Sequence, residues 1–294
     1  MSYNEFEQLL VQAMKEESEN RMDVRICEIR KNNGVRRRAI VLADSTDRPQ
    51  PMQYLEDYYK MWETGVSIRH IVSLILKERE KMSGVYQKLP GGFFQNYEEV
   101  RKNLRCHLVS EKKNRDLFCQ VPHRRWMDLA ITCVYDMSEP DYPDCMIQIR
   151  NEHLQIWGVS ADQIMRDAME ATAENSEILF QPLVSILEDD LNCSEGEIPE
   201  TPLYLLTNQS RVYGAVCIAL PDVTEHIAQS LNSDYFIIPS SIHECLILPD
   251  DGVYRTSELN QMVCDINRTN VEEQEVLSDH VYLYKRPEAR TYQA

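Results

Sequence analysis

Residues 234–249 read DYFIIPSSIHECLILP, two aliphatic runs on either side of the polar hexapeptide PSSIHE. Tyr235–Ile238 and Cys245–Leu248 have the length and composition of buried strands, and Pro239 with the two serines that follow it marks a turn between them. A strand–turn–strand unit of this kind places polar side chains at the ends of buried strands, where functional residues are often found. The stretch therefore predicts both a β-hairpin and a candidate site.

A hairpin followed by a helix is the unit that recurs along the chain, at 23–63, 128–172, 203–231 and 234–269. Strands joined by tight turns pair antiparallel, and each hairpin can bury one face under its own helix. The sequence has no Gly-rich strand–turn–helix loop and no GxxxxGK phosphate-binding motif, which disfavours a doubly wound sheet. We therefore predict an α+β fold of mostly antiparallel sheets, built from repeated hairpin–helix (ββα) units with packed helices.

The individual elements follow from apolar spacing and turn residues. Asn33-Gly34 lies between two strand-like runs and predicts a hairpin over 23–43, because a type I′ turn needs positive φ at both central residues. An aromatic stripe of Tyr54, Tyr58, Tyr59 and Trp62 indicates core packing or a partner groove rather than a cofactor site. Helices are predicted over 3–18, 55–64, 67–82, 97–110, 160–172, 223–231 and 257–269, and strands over 127–135, 145–149, 203–206, 212–220 and 281–284.

The sequence also predicts local features of these elements. His153–Trp157 extends the strand before it or adds another strand, Asp222 caps the helix that begins at Val223, and the tail 285–294 is loose. The helix over 257–269 buries a face made of four apolar residues: Leu259, Met262, Val263 and Ile266.

Two linkers are predicted, one at Ser83–Gly92 with its Pro-Gly-Gly sequence and one at the acidic segment Glu188–Thr201, which is alternatively an exposed loop. They predict an N-terminal hairpin with helices over 1–85, a middle α+β region with a basic segment over 93–185, and an acidic α+β region over 200–294. The alternative is one compact domain, which a chain of 294 residues is long enough to form.

The net charge of −17 is unevenly distributed. Residues 150–279 contain 24 Asp and Glu against five Lys and Arg, whereas residues 1–149 are balanced. An acidic half repels free nucleic acid, whose binding depends on neutralising phosphates, and instead suits a basic partner or serves solubility. Direct nucleic-acid binding is therefore not expected.

The cellular compartment is predicted from the cysteines, the N-terminal residues and the length of the apolar runs. Nine cysteines are widely scattered, and Cys27, Cys133, Cys217 and Cys245 lie inside apolar runs, which is typical of reduced, buried thiols. The N-terminal residues are acidic rather than basic and apolar, and no run of apolar residues is long enough to cross a membrane. We predict a cytoplasmic protein.

Ser240, Ser241, His243 and Glu244 are the candidate catalytic residues. A serine beside a histidine suggests an acyl-transfer nucleophile and its base. However, the string lacks the Gly-x-Ser-x-Gly elbow, and Leu246-Ile247 follow where a His-Glu-x-x-His zinc motif continues. The alternative is structural: the hydroxyls satisfy backbone groups of a turn, and the His-Glu pair fixes a neighbouring loop.

Three further groups of residues are candidate sites. Cys106, His107, Cys119 and His123 are metal-compatible residues, but the adjacency of Cys106 and His107 does not fit a zinc knuckle, so neither a metal nor a cofactor is predicted. Arg36–Arg38 and the basic residues of 101–125 pair with acids of the same chain or bind an external partner, and aromatic residues are too sparse there for nucleic acid. Asp265, Asn267, Ser278 and Asp279 are able to form a polar cluster with His243 and Glu244.

Several strings distributed over almost the whole chain resemble an uncharacterised family of bacterial proteins grouped as a domain of unknown function. The resemblance implies a bacterial, intracellular origin and no particular chemistry. The strings are Lys31-Asn32-Asn33-Gly34, Tyr54-Leu55-Glu56-Asp57-Tyr58-Tyr59, Leu205-Leu206-Thr207-Asn208 with Tyr213-Gly214-Ala215, Pro239-Ser240-Ser241-Ile242-His243-Glu244, and Leu277-Ser278-Asp279.

These observations predict a non-catalytic protein–protein interaction module whose acidic C-terminal half meets a basic partner. Blocking of a nucleic-acid-binding protein by charge mimicry is one form of this function. The alternative is a hydrolase with a nonstandard Ser/His/Glu site at 240–244. A cleft that brings His243 and Glu244 together with Asn208, Asp265 or Asp279 would support the enzyme, and ordinary packing around His243 would support the binding module.

Overall fold

The structure, a computed structural model, describes residues 2–19, 22–43, 52–87, 95–142, 145–186 and 202–294. The chain divides into two compact units, Met1–Gly91 and Gly92–Ala294. The linker predicted at Glu188–Thr201 lies outside the described residues, and the separation of a middle from a C-terminal region stays a prediction.

The first unit is a three-stranded antiparallel sheet packed against helices. Its order is β1-β2-β3, and its core contains the fully buried side chains of Phe6, Leu10, Ile40, Leu55 and Ile71. The elements are α1 (Tyr3–Glu17), β1 (Asp23–Arg30), β2 (Arg36–Ala43), β3 (Met52–Tyr54), α2 (Glu56–Glu63) and α3 (Ile68–Gln87).

The predicted hairpin is confirmed in this unit. Asn33 and Gly34 have φ values of 59° and 76°, the positive values that a type I′ turn requires. Three residues of the aromatic stripe, Tyr58, Tyr59 and Trp62, pack against the core, where the Phe6 ring lies 5.5 Å from that of Tyr59 and 5.4 Å from that of Trp62.

The second unit contains two antiparallel sheets. In the smaller, the order is β4-β6-β5 with β7 paired to β6, and in the larger it is β13-β12-β10-β11-β9-β8. The elements of its first half are α4 (Tyr97–Val100), β4 (Leu104–Ser110), β5 (His123–Trp126), β6 (Leu129–Asp136), β7 (Met146–Gln148), α5 (Asn151–Trp157), α6 (Ala161–Asn175) and β8 (Ile178–Pro182). Those of its second half are β9 (Tyr204–Asn208), α7 (Pro221–Leu231), β10 (Tyr235–Pro239), β11 (Cys245–Pro249), α8 (Thr256–Thr269), β12 (Tyr282–Lys285) and β13 (Arg290–Gln293).

Residues 234–249 form the centre of the larger sheet. Strands β10 and β11 pair antiparallel from Tyr235↔Pro249 to Pro239↔Cys245. One face of the hairpin packs against Leu259 and Val263 of α8, while Tyr235 donates its hydroxyl to a carbonyl of α7, at Thr224. The α+β class and the mostly antiparallel sheets are therefore confirmed.

Four predicted elements are wrong. The helix over 97–110 ends at Val100, and the alternating residues Leu104, Cys106 and Leu108 instead form β4, which pairs along its length with β6. The segment predicted as a strand over 212–220 contains a buried 3₁₀ helix, Gly214–Ala219. The prediction failed because a short apolar run is compatible with both a strand and a buried helical turn. His153–Trp157 belongs to α5, and the tail contains β13, which pairs with β12.

Two local predictions also fail. The helix α7 begins at Pro221, so Asp222 lies in its first turn instead of capping it. In α8, Leu259 and Val263 are buried as expected, but Met262 is 41% and Ile266 44% exposed. Helix α8 therefore has more apolar side chains than the sheet beneath it covers.

Candidate functional site

The turn between β10 and β11 is held by hydrogen bonds among its own residues. The backbone N–H groups of Ser240 and Ser241 both donate to the Glu244 carbonyl, at 3.3 and 3.2 Å. The Ser240 hydroxyl donates to Glu244 Oε1 at 3.2 Å, and Ser241 Oγ accepts from the His243 backbone N–H at 3.0 Å. Both hydroxyls are thus engaged in shaping the turn, as expected for serine in such positions.

His243 is also held by contacts of its carbonyl group and its ring. Its carbonyl accepts from Thr207 Oγ1 at 2.8 Å, and its Nδ1 accepts from the Tyr213 backbone N–H at 3.1 Å. Because an acceptor nitrogen carries no proton, the neutral ring has its proton on Nε2, which lies 3.9 Å from Glu275 Oε1. This tautomer suits a ring that joins a turn to a neighbouring loop.

Tyr213 lies between two histidines. Its ring stacks on that of His107 with centroids 3.8 Å apart and an interplanar angle of 11°. The Tyr213 ring also packs against the ring of His243, with centroids 5.1 Å apart and an interplanar angle of 42°. Because His107 is on β4 and His243 follows β10, this histidine–tyrosine stack connects the two sheets of the second unit.

Burial, with a smaller contribution from nearby His243, lowers the pKa of His107 to about 3. A buried imidazole loses the hydration that stabilises its charged form. His107 is therefore neutral at physiological pH, which allows it to stack closely on the tyrosine without a buried charge.

Gly214 allows the loop after β9 to approach the hairpin turn. A Cβ at this position would lie 2.2 Å from Thr207 Oγ1, 2.6 Å from the Asn208 nitrogen and 2.8 Å from the His243 carbonyl oxygen. Tyr213 precedes it with a φ of 53°. The Asn208 side chain holds this loop by accepting from the Val212 N–H and donating to the Val212 carbonyl.

A cleft of about 360 Å³ opens beside the stack, between the smaller sheet, the end of α6 and the loop after β9. That volume is at the lower end of the range for small-molecule sites, about 300–1,000 Å³. Arg105 is the basic residue on its wall. The other polar residues of its lining are His107, Asp136, Ser138, Thr172, Asn175, Ser176, Glu177, Asn208, Gln209, Ser210 and Tyr213.

Arg105 retains unused hydrogen-bond donors in this cleft. Its Nε lies 3.6 Å from Asp136 Oδ2, and its Nη1 donates to the carbonyls of Lys102 and Leu104. No described residue accepts from its Nη2. Its side chain is only 20% exposed, and burial lowers the pKa of Arg105 despite the opposing effect of Asp136. The carboxylate therefore compensates the buried charge only in part.

The other candidate residues are distributed among several places. Asn267 Nδ2 donates to the Ser278 carbonyl and to Asp279 Oδ1, both at 2.9 Å, whereas Asp265 pairs with Arg268. The contacts of His243 and Glu244 described above are with other residues. Within the described ranges, no group of three or more His, Cys, Asp or Glu side chains is arranged to hold a metal ion.

The basic segments pair extensively within the chain. Arg38 forms a bidentate ion pair with Glu7, with N–O distances of 2.7 and 2.9 Å. Arg36 pairs with Glu28 at 2.9 Å. Between 101 and 125, four of the basic residues are in ion pairs. These pairs are Arg101–Glu98, Lys102–Glu99, Arg105–Asp136 and Arg125–Glu111.

Most acidic residues of the described ranges 150–186 and 202–279 are exposed. Helix α8 has an outer stripe of Glu258, Met262, Asp265 and Ile266, which helical spacing places on one face beside the buried Leu259 and Val263. We call these four residues the α8 stripe. It combines two carboxylates with two exposed apolar side chains.

Sequence reasoning missed the cleft. From the sequence alone, Arg105 is predicted on a helix, His107 belongs to a metal-compatible set, and Val212 and Tyr213 are predicted to begin a strand. One signal was present in the sequence: Thr207-Asn208 followed by Tyr213-Gly214 carries residues typical of a constrained loop. Nothing in the spacing indicates that this loop meets β4, which is about a hundred residues earlier.

Comparison with known proteins identifies the family of the chain. A family model described as "Family of unknown function (DUF5688)" matches residues 3–286, so the chain belongs to that family. No curated protein and no solved structure matches the chain significantly. Among the described helices, none combines the length and the apolar character that a membrane crossing requires.

Proposed function

We propose that this member of the DUF5688 family is a non-catalytic binding module that recognises a basic protein through the acidic surface of residues 150–279. The observation that carries the proposal is the α8 stripe, in which exposed Met262 and Ile266 lie beside Glu258 and Asp265. Exposed apolar side chains among charges are typical of surfaces that bind a partner.

The chemistry of the stripe defines the partner. Carboxylates attract Lys and Arg and steer association, while burial of the two apolar side chains stabilises the complex. A basic amphipathic segment, apolar on one side and rich in Lys or Arg on the other, matches both features. A nucleic-acid-binding protein blocked by charge mimicry is one partner of this class, and the buried cysteines support placing the function in the cytoplasm.

Titration of the full chain with a fluorescent Lys/Leu amphipathic peptide tests the proposal. We expect Glu258→Gln with Asp265→Asn to weaken binding by about three- to tenfold and to reduce its dependence on salt. The matched control is Asp162→Asn with Glu170→Gln, which removes the same charge from exposed positions of α6. Equal losses in the two double variants would rule out a specific role for the stripe.

The apolar part of the stripe has its own control. Ile266→Gln is expected to weaken peptide binding, whereas Ile156→Gln, at a position that is 57% exposed on α5, is expected to leave it unchanged. The same four proteins can then be used to capture partners from an extract of the source organism. A natural partner must be retained by the controls and lost by both stripe variants. Displacement of that partner by duplex DNA would support charge mimicry.

What supports binding over hydrolysis is the use of Ser240 and Ser241 inside their turn. The hydrolase alternative is tested by Ser240→Ala and Ser241→Ala in an assay with general ester substrates. Ester hydrolysis that disappears in either variant while the fold is retained would favour the enzyme.

A further inference from the structure

The geometry points to a second binding site, independent of the α8 stripe: we propose that the cleft beside the histidine–tyrosine stack binds a small zwitterion of the α-amino acid class. The cleft has the volume of a small-metabolite site and a lining of amides, hydroxyls and charged groups. Its two walls carry opposite charges that are not fully satisfied within the described parts of the chain.

Arg105 forms the carboxylate-binding end. Its guanidinium is mostly buried, its Nη2 has no acceptor among the described residues, and Asp136 is 3.6 Å from its Nε. A carboxylate of the ligand can accept from Nη2 in a charge-assisted hydrogen bond and complete the compensation of the buried charge.

Glu177 and the end of α6 form the ammonium-binding end. The Glu177 carboxylate is exposed, lines the cleft and has no hydrogen-bond or ion-pair partner within the described ranges. Helix α6 ends at Asn175, and its C-terminal carbonyls carry partial negative charge that favours a cation nearby. A purely anionic ligand suits the cleft less well, because Asp136 and Glu177 are both acidic.

The amides and hydroxyls suit the remaining polar groups of such a ligand. The Gln209 side chain and the Ser176 hydroxyl line the cleft without a protein partner among the described residues. The stack closes one side of the cleft with Tyr213, whose ring is already packed on both histidines, so the ligand is recognised by polar contacts rather than by stacking.

Calorimetric titration of the full chain with the twenty L-amino acids tests this inference. At least one free amino acid is expected to bind saturably, and its N-acetyl and methyl-ester derivatives are expected to bind about tenfold more weakly, since each lacks one of the two charges. Absence of saturable binding throughout the panel would overturn the proposal, as would equal binding of the derivatives.

Substitutions test which end of the cleft binds the ammonium group and which binds the carboxylate. Glu177→Gln is expected to weaken binding of the free amino acid about tenfold and to leave binding of its N-acetyl derivative unchanged, because that derivative has no ammonium group. Glu174→Gln, an exposed residue one turn earlier that does not line the cleft, is the matched control. Arg105→Gln is expected to affect the free acid and not the methyl ester.

If Arg105→Gln fails to fold, the comparison of free acid with ester on the wild-type chain tests the same end. Binding that is indifferent to Glu177→Gln, or reduced equally by Glu174→Gln, would contradict the assignment.

Discussion

Tyr282 donates its phenolic hydroxyl to Asp128 Oδ1 across 2.7 Å and thereby connects positions that are 154 residues apart. Tyr282 is fully buried on β12, and Asp128 lies in the turn between β5 and β6. The second carboxylate oxygen of Asp128 accepts from Ser278 at 3.1 Å. Like the histidine–tyrosine stack, this contact joins the two sheets of the second unit.

Removing this hydroxyl should destabilise the protein. Tyr282→Phe is expected to lower the free energy of unfolding by about 1–3 kcal/mol, because the Asp128 carboxylate loses a buried donor. Chemical denaturation monitored by circular dichroism measures the change. Tyr292→Phe is the control: Tyr292 donates to Glu288 at an exposed position, so the loss of this hydroxyl should change stability much less. Equal effects would mean that the buried contact adds nothing.

Gly214 is expected to tolerate no side chain. In Gly214→Ala the new methyl group collides with Asn208 backbone and the His243 carbonyl, both closer than 3 Å, so we expect a loss of more than about 3 kcal/mol or failure to fold. Gly84→Ala, on a helix with no heavy atom within 4 Å of the new Cβ, should instead gain about 0.5–1 kcal/mol. Thermal unfolding of the two variants beside the wild type distinguishes these outcomes.

His107 should make stability depend on pH. Its pKa is about 3 in the folded chain and near the ordinary value of 6.5 once unfolded, so the unfolded state binds the proton first as the pH falls. Stability should therefore be constant above pH 6.5 and decrease below it, by about 2 kcal/mol between pH 6.5 and 5.

Urea denaturation at several pH values measures this slope, and His107→Gln should reduce it. In the folded protein, the NMR signal of the His107 ring should not titrate between pH 8 and 5. A ring that does titrate there would contradict the burial of His107.

The cysteines should differ sharply in reactivity. Burial raises the pKa of Cys106 and of Cys217 to about 12, whereas Cys119 and Cys264 are exposed. Since the thiolate is the reactive form, a disulfide reagent should label the two exposed thiols quickly and the buried ones only after unfolding. The experiment uses a Cys193→Ser background, so that every labelled thiol is one whose exposure the structure describes. Adding Cys119→Ser and Cys264→Ser should remove the fast phase of labelling.

Periodicity and turn chemistry predicted most of the fold. The hairpins at 23–43 and 234–249 were predictable because their turn residues and flanking runs agree, and the apolar faces of α1 and α6 follow helical spacing. The failures are local ambiguities. The apolar run 214–220 fits a strand and a buried 3₁₀ helix equally, and only its tertiary contacts select the helix.

The candidate site was less predictable than the fold. Sequence reasoning identified the turn 239–244 and offered a structural alternative for it, which the hydrogen bonds of Ser240 and Ser241 support. The cleft depends on Arg105, Glu177 and Tyr213, which come from three separate parts of the chain. Because no short-range pattern encodes how β4 meets the loop after β9, their proximity is a property of the folded chain alone.

Residues 290–293 have a consequence for solubility. They form β13, which pairs from Tyr282↔Gln293 to Lys285↔Arg290 and supplies the last strand at that end of the larger sheet, beyond the family match that stops at residue 286. Without them, β12 would present the unpaired backbone edge of a strand that carries buried Tyr282 and Tyr284. Such an edge is a template for edge-to-edge association of copies. A short strand that starts at the exposed Arg290, two residues after the exposed Glu288, therefore protects the sheet from aggregation.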